Sequence, residues 1–540
     1  MMLPSYLQRA ARTFSIPCPI SNYNRTIAPR AYLPGAVLEQ IDCDVLVVGG
    51  GINGAGIARD AAGRGLSVVL CEKDDLGAHT SSASSKLIHG GLRYLEHFEF
   101  SLVRKALRER EILLRSAPHI MWPLRFVMPH DAGQRPAWLI RTGLWLYDRL
   151  ARREFLPGSE SLRLAGHPAG EPLKPEFKRG FAYSDAWVDD ARLVLLCAMD
   201  ARERGANILT RTLCGPLRRE EDRWHARLMH DDGRRTDVRA RCLVNAAGPW
   251  AGSVRQLATG TSAAQPLRLV KGSHIVVPKL FEHDYAYIFQ SADKRIVFAL
   301  PYERDFTLIG TTDLDFTGSP DHVAIGDAET AYLCAIASQY FRKQLAPADV
   351  VWSYSGVRPI ADDDAGDPSS ATRDFRFEYD ADGAPMLTVL GGKLTTFRKL
   401  AEEAVSRIAP GLGAPRGPWT EGAVLPGGDL FGERPSNRSV LEFGEWQRGM
   451  RLRYPWLPLD AFRRYCRAYG NRMNRLLEHC RSMNDMGPEI VPGLYAAEVY
   501  YLTTQEWAVS AQDILWRRTK LGLHAPAGSE GVLAAWLASH

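Results

Sequence analysis

The sequence predicts an α/β fold with a parallel sheet near its N-terminal end, and three adjacent observations predict it. An apolar run, VLVV, precedes Gly49, Gly51 and Gly54 at G-x-G-x-x-G spacing, and a small-residue helix and a second strand, SVVLCE, follow. The first glycine permits a tight turn, the second lets a pyrophosphate approach the backbone, and the third allows close packing of helix and strand. Glu72 ends the second strand, where it could accept hydrogen bonds from ribose hydroxyls. We therefore predict a Rossmann-like dinucleotide cradle at 44–72.

The composition is that of a large globular protein with several domains. With 540 residues, of which 45% are hydrophobic, the chain exceeds what one core usually serves. Its net charge of +5 argues against a nucleic-acid binder. The nine cysteines form no C-x-x-C pair, so we predict buried thiols in a reducing compartment and no metal site. No apolar run reaches about 18 residues, the length that suggests a membrane-spanning helix.

The segment after the cradle favours a flavin over a nicotinamide. Residues 80–95 read TSSASSKLIHGGLRYL, a hydroxyl-rich loop that leads to a glycine doublet. Hydroxyls and glycines suit a second contact with phosphate and ring, whereas a nicotinamide domain normally continues with another plain strand and helix. The sequence contains no second strand-flanked glycine fingerprint for NAD. The predicted cofactor contacts in this segment are Thr80, Ser81, Ser84, Ser85, Lys86, Leu87, His89, Gly90 and Gly91.

Five further motifs extend the pattern: KGSHIVVP at 271–278, IGTTD at 309–313, YSGVRP at 354–359, TRD at 372–374 and GGKLTTFRKLAE at 391–402. With them, the chain resembles the FAD-dependent glycerol-3-phosphate dehydrogenases from about Asp42 to about Leu523. It looks like the single-subunit, respiratory, bacterial type, because it has neither the cysteine-rich module of anaerobic members nor the EF-hand loop of mitochondrial ones. The resemblance implies oxidation of sn-glycerol 3-phosphate to dihydroxyacetone phosphate by hydride transfer to FAD.

The resemblance also implies an architecture. It consists of an α/β FAD-binding domain of the glutathione-reductase or D-amino-acid-oxidase type, an antiparallel-sheet substrate cap and a helical C-terminal domain. Alternating runs such as HIVVP and RIVFALPY indicate the cap sheet. The predicted divisions are a disordered N-terminal extension at 1–40, the FAD-binding domain at 41–117 with 180–264 and 351–410, the cap at 118–179 with 265–350, a linker at 411–428 and the C-terminal domain at 429–540.

Two later segments are expected to complete the cofactor site. LVNAAGPW, at 243–250, ends an apolar strand in small residues that let the chain run close to the cofactor. GGKLTTF, at 391–397, resembles a helix start, whose positive end would favour negative charge on the ring. His79 lies near where distant relatives bind flavin covalently, but hydride chemistry needs no such bond, and we predict noncovalent FAD. The remaining predicted cofactor contacts are Ile52, Asn53, Ala247, Gly248, Gly392, Lys393, Leu394 and Thr395.

A phosphate ester with a charge near two needs several arginine or lysine donors in a protected site. In the family, the phosphate and hydroxyl contacts come from the motifs quoted above. The resemblance therefore implies substrate contacts here from Arg93, Tyr94, Arg358, Arg373 and Lys393, with Tyr94 and Arg358 also positioning the alkoxide.

A catalytic base must take the proton of the substrate hydroxyl. An imidazole, with a pKa of about 6.5, suits this step near neutral pH. We prefer His274, because KGSH places it in the cap sheet expected to face the flavin ring. His89, which precedes the glycine doublet, is the alternative.

The electrons are expected to pass to a membrane quinone. Residues 135–153 carry Trp138, Trp145 and Tyr147 among arginines, and residues 448–481 carry nine arginines and two acids. Arginines attract anionic headgroups while tryptophan and leucine enter the interface, although either segment could instead be a solvated or interdomain face. We expect a cytoplasmic protein attached peripherally to the inner face of the cell membrane. The sequence leaves open whether it forms a homodimer.

Three other functions remain open at this point. A glycerol-3-phosphate oxidase would use the same site and pass electrons to oxygen, although such oxidases tend to carry an extra cap insertion that is not obvious here. A flavin-binding regulatory protein would not need the cations and histidines. An amino-acid or amine oxidase is compatible with the fold, but its carboxylate substrate needs fewer cations.

Overall fold

A computed structural model describes residues 39–131, 133–260, 267–291, 295–361 and 374–540. The predicted extension at 1–40 lies outside these residues except for Glu39 and Gln40, which pair with Thr236 and Asp237 in the first sheet. The predicted boundary is therefore two residues late. Arg373 also lies outside the described residues.

The first sheet is the nucleotide-binding layer that the glycine pattern predicts. Its strands, numbered in chain order, are β1 Glu39–Val48, β2 Val68–Cys71, β7 Asn207–Leu209, β8 Thr212–Glu220, β9 Arg223–His230, β10 Arg235–Asn245, β17 Arg376–Asp380 and β18 Met386–Leu390. Strand β1 lies between β2 and β10 and is parallel to both. The VLVV run of β1 is buried, as expected for a parallel strand that is covered on both faces.

Helices cover one face of this sheet, and a hairpin and a helix enclose the other. Helices α1 Ile52–Gly63, α4 Asp190–Glu203 and α7 Phe397–Leu412 share a core with β1 and β2. On the opposite face, β8, β9 and α5 Ala251–Thr259 pack around the buried Trp224. Packing on both faces holds the sheet in place, and with it the carboxyl end of β1, where the glycine turn begins.

The second sheet forms the cap. Its strands are β3 Leu87–Ile88, β4 Met121–His130, β5 Glu160–Arg163, β6 Arg179–Val188, β11 Leu267–Pro278, β12 Ala286–Gln290, β13 Ile296–Tyr302, β14 Phe306–Gly310, β15 Leu314–Asp315 and β16 Trp352–Ala361. Helix α6 Asp327–Tyr340 packs on one face. Helices α2 Phe100–Ser116 and α3 Ala137–Tyr147 contribute to the core on the other.

The observed cap sheet is wider than the predicted divisions of 118–179 and 265–350. It includes β3, nearly all of β6 and β16, which the predicted divisions place in the FAD-binding domain. The pairing of β16 with β11, and of β6 with β4, joins segments far apart in the chain. A single strand's hydrophobic pattern does not reveal its partner, which is why these boundaries were misplaced.

The C-terminal part of the chain is helical, with its own core. Its helices are α8 Asn437–Leu441, α9 Phe443–Arg453, α10 Leu459–Tyr469, α11 Met473–Leu476, α12 Ala496–Gln505 and α13 Ser529–Ser539, and a small hairpin joins β19 Glu489–Val491 to β20 Leu494–Tyr495. Aromatic and aliphatic side chains from these elements form one cluster. Among the described residues, no helix has the length and apolar character required to span a membrane.

Buried ion pairs join this C-terminal part to the first sheet. Arg192 of α4 donates to both carboxylate oxygens of Glu506, at 2.5 and 3.0 Å. Arg518 likewise donates to both oxygens of Asp75, at 2.7 and 2.8 Å, in the loop that follows β2. All four side chains are almost fully buried. Paired charges of this kind make the docking geometry specific, because separating either partner would leave an uncompensated charge.

Candidate active site

The two sheets enclose a cavity of about 440 Å³. It begins at the carboxyl ends of β1 and β2 and reaches β13 and β16 of the cap sheet. Ligands of open α/β sheets bind at this end of the strands. Most of the predicted site residues line the cavity: Gly49, Gly51, Ile52, Asn53, Glu72, Thr80, Ser81, Ser84, Ser85, Leu87, His89, Tyr94, Ala247, Gly248, Arg358, Gly392, Lys393, Leu394 and Thr395.

The glycine turn after β1 has no room for side chains. Gly49 has a φ of +109°, and a Cβ there would lie 2.6 Å from the carbonyl oxygen of Ala246. A Cβ at Gly54, which does not line the cavity, would lie 1.9 Å from the carbonyl oxygen of Gly49. A Cβ at Gly51 would lie 3.1 Å from Oγ of Ser81. The turn therefore brings bare backbone and the amino end of α1 to the cavity, an arrangement that fits the pyrophosphate of FAD.

Two polar side chains beside this turn are acceptors for hydroxyl groups. Glu72 is buried at the end of β2, and its carboxylate accepts hydrogen bonds from the amides of Gly50 at 2.6 Å and Asp74 at 2.9 Å. Burial raises the pKa of Glu72, and these amides oppose the increase. Asn53 donates to the carbonyl of Gly391, while its buried Oδ1 has no hydrogen-bond partner among the described residues. Glu72 fits the adenosine ribose of FAD, whereas Asn53 offers its acceptor beside the segment at 391–392.

The hydroxyl-rich loop is held in place by hydrogen bonds to residues that do not line the cavity. Oγ of Ser84 and Nζ of Lys86 both donate to the buried carboxylate of Asp190, at 2.7 and 2.8 Å. Thr80 donates from Oγ1 to the carbonyl of Val357 at 2.6 Å. Lys86 does not line the cavity, contrary to its predicted cofactor contact. The buried carboxylate turns this lysine inward, since an unpaired charge there would be costly.

A third segment reaches the cavity where α7 begins. Gly391 and Gly392 have φ of +72° and +96°, and a helical turn at 394–396 leads into α7. Oγ1 of Thr395 accepts a hydrogen bond from the backbone amide of His89 at 3.3 Å. The helix start predicted from GGKLTTF is therefore present, and it is tied to the loop that carries His89.

The cations predicted to bind substrate fall into three groups. Arg358 and Lys393 line the cavity, whereas Arg93 is half-buried in the turn at 92–97 and does not line it. The guanidinium of Arg358 contacts Asp313 and donates to Oγ1 of Thr311. Nζ of Lys393 lies 3.7 Å from the centre of the Tyr94 ring. The fourth cation, Arg373, lies outside the described residues.

The two candidate bases differ in their access to the cavity. His89 lines it, but His274 is fully buried and does not. Nε2 of His274 is hydrogen-bonded to Oγ of Ser85 at 2.9 Å, and the imidazole stacks on Tyr354. Burial lowers the pKa of His274 well below its ordinary value, and the positive charge of Arg358 adds to the effect. A neutral imidazole in this position resists taking up a proton.

His79 lies at the opposite end of the site. Its Nε2 is paired with Oδ2 of Asp74 at 2.7 Å, and its ring meets Trp250 edge-on. Ligand atoms of Glu72, Asp74 and His79 lie within 4.8 Å of one another. Because both Glu72 oxygens already accept amide hydrogen bonds, these contacts account for the cluster without a metal ion.

Comparisons with known proteins identify the family. The family model described as FAD dependent oxidoreductase matches residues 44–398, and the C-terminal domain of alpha-glycerophosphate oxidase matches residues 419–537. The chain is 52% identical to a glycerol-3-phosphate dehydrogenase of Pseudomonas aeruginosa, with 94% of this chain and 98% of that protein covered. The chain belongs to the FAD-dependent glycerol-3-phosphate dehydrogenase family. The predicted FAD cofactor is thereby confirmed.

Two further relatives of this flavoenzyme are similar to it, one in sequence and one in structure. The aerobic glycerol-3-phosphate dehydrogenase of Escherichia coli is 47% identical, with 92% of this chain and 97% of that protein covered. The crystal structure of a glycerol-3-phosphate dehydrogenase from Bacillus halodurans with FAD is 25% identical, with a TM-score of 0.73, and the match covers 92% of this chain and 90% of that one. The fold prediction is confirmed by this similarity.

In this member of the glycerol-3-phosphate dehydrogenase family, the two basic segments have different environments. Trp138 and Trp145 on α3 are exposed, at 69% and 49%, whereas Tyr147 on the same helix is buried. In the segment at 448–481, Arg464 is paired with the buried Glu498, and Arg472 with Glu203. These two arginines of the second segment therefore hold the fold together, and only α3 presents aromatic side chains as predicted.

Sequence reasoning missed several residues that shape the site. Trp250 lines the cavity, Asp190 anchors the hydroxyl-rich loop, and Asp313 pairs with the predicted cation Arg358. Trp250 lies in LVNAAGPW and Asp313 in IGTTD, whereas Asp190 lies outside the motifs quoted above. Asp190 is 104 residues from Lys86 and Asp313 is 45 residues from Arg358, so no local pattern signals these ion pairs.

Proposed function

We propose that the chain oxidises sn-glycerol 3-phosphate to dihydroxyacetone phosphate, with FAD as the hydride acceptor and a membrane quinone as the final electron acceptor. The supporting observation is that Arg358, Lys393 and His89 line the same cavity as the glycine turn. Relatives named glycerol-3-phosphate dehydrogenase share 52% and 50% of this sequence over 94% of its length.

Arg358 and Lys393 are proposed to bind the substrate phosphate. The guanidinium offers a planar set of donors that matches phosphate, and the ammonium adds a second positive charge. Thr311 and Asp313 hold Arg358 in place, and the ring of Tyr94 holds Lys393. These contacts limit the movement of both cations, so less conformational entropy is lost when the phosphate binds.

His89 is proposed to take the proton of the C2 hydroxyl. It lines the cavity, whereas the imidazole of His274 is separated from the cavity by Ser85. This reverses our sequence-based preference for His274. The buried histidine would then orient the Ser85 hydroxyl rather than receive the proton, since burial and neighbouring positive charge oppose its protonation.

FAD supplies the acceptor for the C2 hydride, and the residues that would hold it are those of the glycine turn, Glu72, Asn53 and the segments 80–85, 247–248 and 392–395. The amino end of α7 begins at this wall of the cavity. A helix amino end favours negative charge nearby. The chain thus provides a site for an anionic dinucleotide on one side and for an anionic substrate on the other.

The membrane-facing surface is proposed to be α3. Trp138, Leu139 and Trp145 are exposed on it, and the guanidinium of Arg149 lies 4.3 Å from the centre of the Trp145 ring. Leu144 and Tyr147 point into the core from the same helix. A helix with one packed side and exposed tryptophans beside arginines suits the interface of an anionic bilayer. A membrane quinone would be reached from such a position.

The test is anaerobic reduction of the bound flavin, followed by its loss of visible absorbance. We expect rapid bleaching with sn-glycerol 3-phosphate and none with glycerol. D-erythritol 1-phosphate is a necessary comparison, because the D-erythritol 1-phosphate dehydrogenase of Brucella abortus is 48% identical. Faster bleaching by that compound would overturn the substrate assignment. Subsequent recovery of absorbance should be fast with a soluble quinone and slow with oxygen, and the reverse order would indicate an oxidase.

A further inference from the structure

A chain of hydrogen bonds runs from a buried ion pair to the backbone of the turn between His89 and Tyr94. The amide of Gly90 donates to Oη of Tyr147 at 2.8 Å and, more weakly, to Oδ1 of Asp185 at 3.4 Å, and the Tyr147 hydroxyl donates to the same Oδ1 at 2.8 Å. Nη1 of Arg110 donates to the same carboxylate oxygen at 2.7 Å. Tyr147, Asp185 and Arg110 are each at most 2% exposed. None of these three side chains lines the cavity or has been given a role in the reaction.

The protonation states give each hydrogen bond a fixed direction. Burial raises the pKa of Tyr147 well above its ordinary value, and the charge of Asp185 adds to that increase. The phenol therefore keeps its proton and donates a hydrogen bond to Asp185. Burial raises the pKa of Asp185, and the charge of Arg110 on its other side opposes the increase. A lone pair of the phenol oxygen is then left to accept the Gly90 amide. A hydroxyl at this position is the group that can make both contacts.

The position of the turn depends on this contact. A Cβ at Gly90 would lie 2.6 Å from both Oη of Tyr147 and Cδ2 of Leu107, so only glycine allows the backbone to approach the hydroxyl this closely. Gly91 has a φ of +77° and lies against the ring of Tyr94, whose amide donates to the Gly91 carbonyl at 2.9 Å. His89 on one side of the doublet and Tyr94 on the other both line the cavity.

We propose that Tyr147 and Asp185 are positioning residues of the reaction: their hydrogen bonds to the Gly90 turn hold His89 and Tyr94 at the distances that proton removal requires. Neither side chain touches the substrate. The inference rests on the proposed function, because it assigns His89 and Tyr94 to the reacting end of the cavity. Displacement of a catalytic group by about 1 Å can reduce a rate on the order of 100-fold.

The test replaces the hydroxyl alone, in Tyr147→Phe. The matched control is Tyr287→Phe, which removes the hydroxyl of another fully buried tyrosine in the cap sheet, one that donates to the Ala169 carbonyl at 2.7 Å and does not line the cavity. For Tyr147→Phe, we expect flavin reduction at saturating substrate to slow on the order of 10-fold to 100-fold. The apparent affinity for sn-glycerol 3-phosphate should change less. The control should reduce its flavin at the wild-type rate.

Amide hydrogen exchange of the holoenzyme supplies a readout that does not depend on turnover. The backbone amides of the peptide at 88–95 should exchange faster in Tyr147→Phe than in wild type. In Tyr287→Phe, their exchange rate should equal that of wild type. Gly90→Ala provides a second variant, because its Cβ would push the turn away from Tyr147 and Leu107 while the hydrogen bond between Tyr147 and Asp185 stays intact. It should reproduce the slow flavin reduction of Tyr147→Phe.

The outcomes separate this inference from the proposed function. Wild-type flavin that sn-glycerol 3-phosphate does not bleach would overturn the proposed function itself. If sn-glycerol 3-phosphate bleaches the wild-type flavin and both Tyr147→Phe and Gly90→Ala are reduced at the wild-type rate, the positioning role alone is overturned. Equal slowing of flavin reduction in Tyr147→Phe and Tyr287→Phe would show that the loss of any buried hydroxyl slows the enzyme. That result would also overturn the positioning role.

Discussion

Ser85 stands between His274 and the cavity, with its hydroxyl oxygen 2.9 Å from Nε2 of that imidazole. This relationship leads to the first prediction, because it separates the two histidines by their access to substrate. His89→Gln should slow flavin reduction by about 100-fold or more, the loss expected for a general base. His274→Gln should slow it by about tenfold or less, since the amide can still hydrogen-bond to Ser85. Stopped-flow bleaching measures both rates, and the opposite ranking would restore His274 as the base.

Arg358 and Lys393 should govern recognition of the phosphate. Arg358→Lys keeps the charge but loses the planar set of donors, and Lys393→Met loses the charge. Each should raise the KM for sn-glycerol 3-phosphate by about tenfold, which corresponds to one charge-assisted hydrogen bond. Arg268→Lys is the control, since Arg268 of the cap sheet also pairs with an aspartate, donating through two nitrogens to Asp315, and does not line the cavity. A KM that is unchanged in both site variants would place the phosphate elsewhere.

The exposed aromatic residues of α3 should control binding to lipid. In co-sedimentation with vesicles that contain anionic phospholipid, Trp138→Ser with Trp145→Ser should bind at least about tenfold more weakly, because two aromatic anchors are lost from the interface. Leu441→Ser with Leu452→Ser is the matched control, since both leucines are well exposed on the C-terminal helices. High salt should weaken the wild-type interaction. Equal losses in both double variants would contradict a specific role for α3.

Asp513 should make stability depend on pH in the acid range. Burial raises the pKa of this carboxyl, but hydrogen bonds from the amides of Ser510 and Val509 and the charges of Arg517 and Arg211 outweigh burial and lower it from 3.8 to about 2. A depressed pKa contributes stability above the unfolded value and loses it as the pH falls towards the folded value. Asp513→Asn should therefore cost about 2 kcal/mol at neutral pH.

The difference between Asp513→Asn and wild type should shrink as the pH falls from about 4 to about 2. Urea unfolding at several pH values measures it, followed by a tertiary probe such as tryptophan fluorescence. Asp237→Asn is the control, because it removes an exposed pair with Arg227 and should change the free energy of unfolding by less than about 1 kcal/mol. A cost for Asp513→Asn that is the same at pH 3 and pH 7 would show that charge does not cause it.

Much of the nucleotide-binding layer was predictable because its determinants are local. The glycine turn, the strand before it and the acid at the end of β2 lie within 30 residues, and each is required by backbone geometry or by hydrogen bonding at that point. The helix start at GGKLTTF was likewise readable from its glycines. Such features depend on steric contacts between residues close together in the chain, so they can be predicted from a single sequence.

The parts that sequence did not reveal depend on distant partners. Tyr147 looked like an interface aromatic, yet it hydrogen-bonds to Gly90, which lies 57 residues away in the chain. His274 looked accessible, yet the pairing of β11 with β14 and β16 buries it. The segment at 448–481 could be a lipid surface or an interdomain face by its sequence, and Arg464 and Arg472 meet acidic partners on other elements. In each case the outcome is set by strand register and helix docking rather than by local composition.

The ion pairs that join Arg192 to Glu506 and Arg518 to Asp75 have a consequence for recombination between relatives. A chimera that takes its C-terminal part from another family member inherits one half of each pair and must match the other half. If the donor has no acid at the Glu506 position, Arg192 would be enclosed without a counter-charge, a defect that costs about 3–5 kcal/mol. A donor without an arginine at the Arg518 position would remove the two hydrogen bonds that Arg518 gives to Asp75, and, because Asp75 lies three residues after Glu72, would also disturb the loop that borders the ribose end of the site. The donor of the C-terminal part should therefore be one that carries an acid at position 506 and an arginine at position 518.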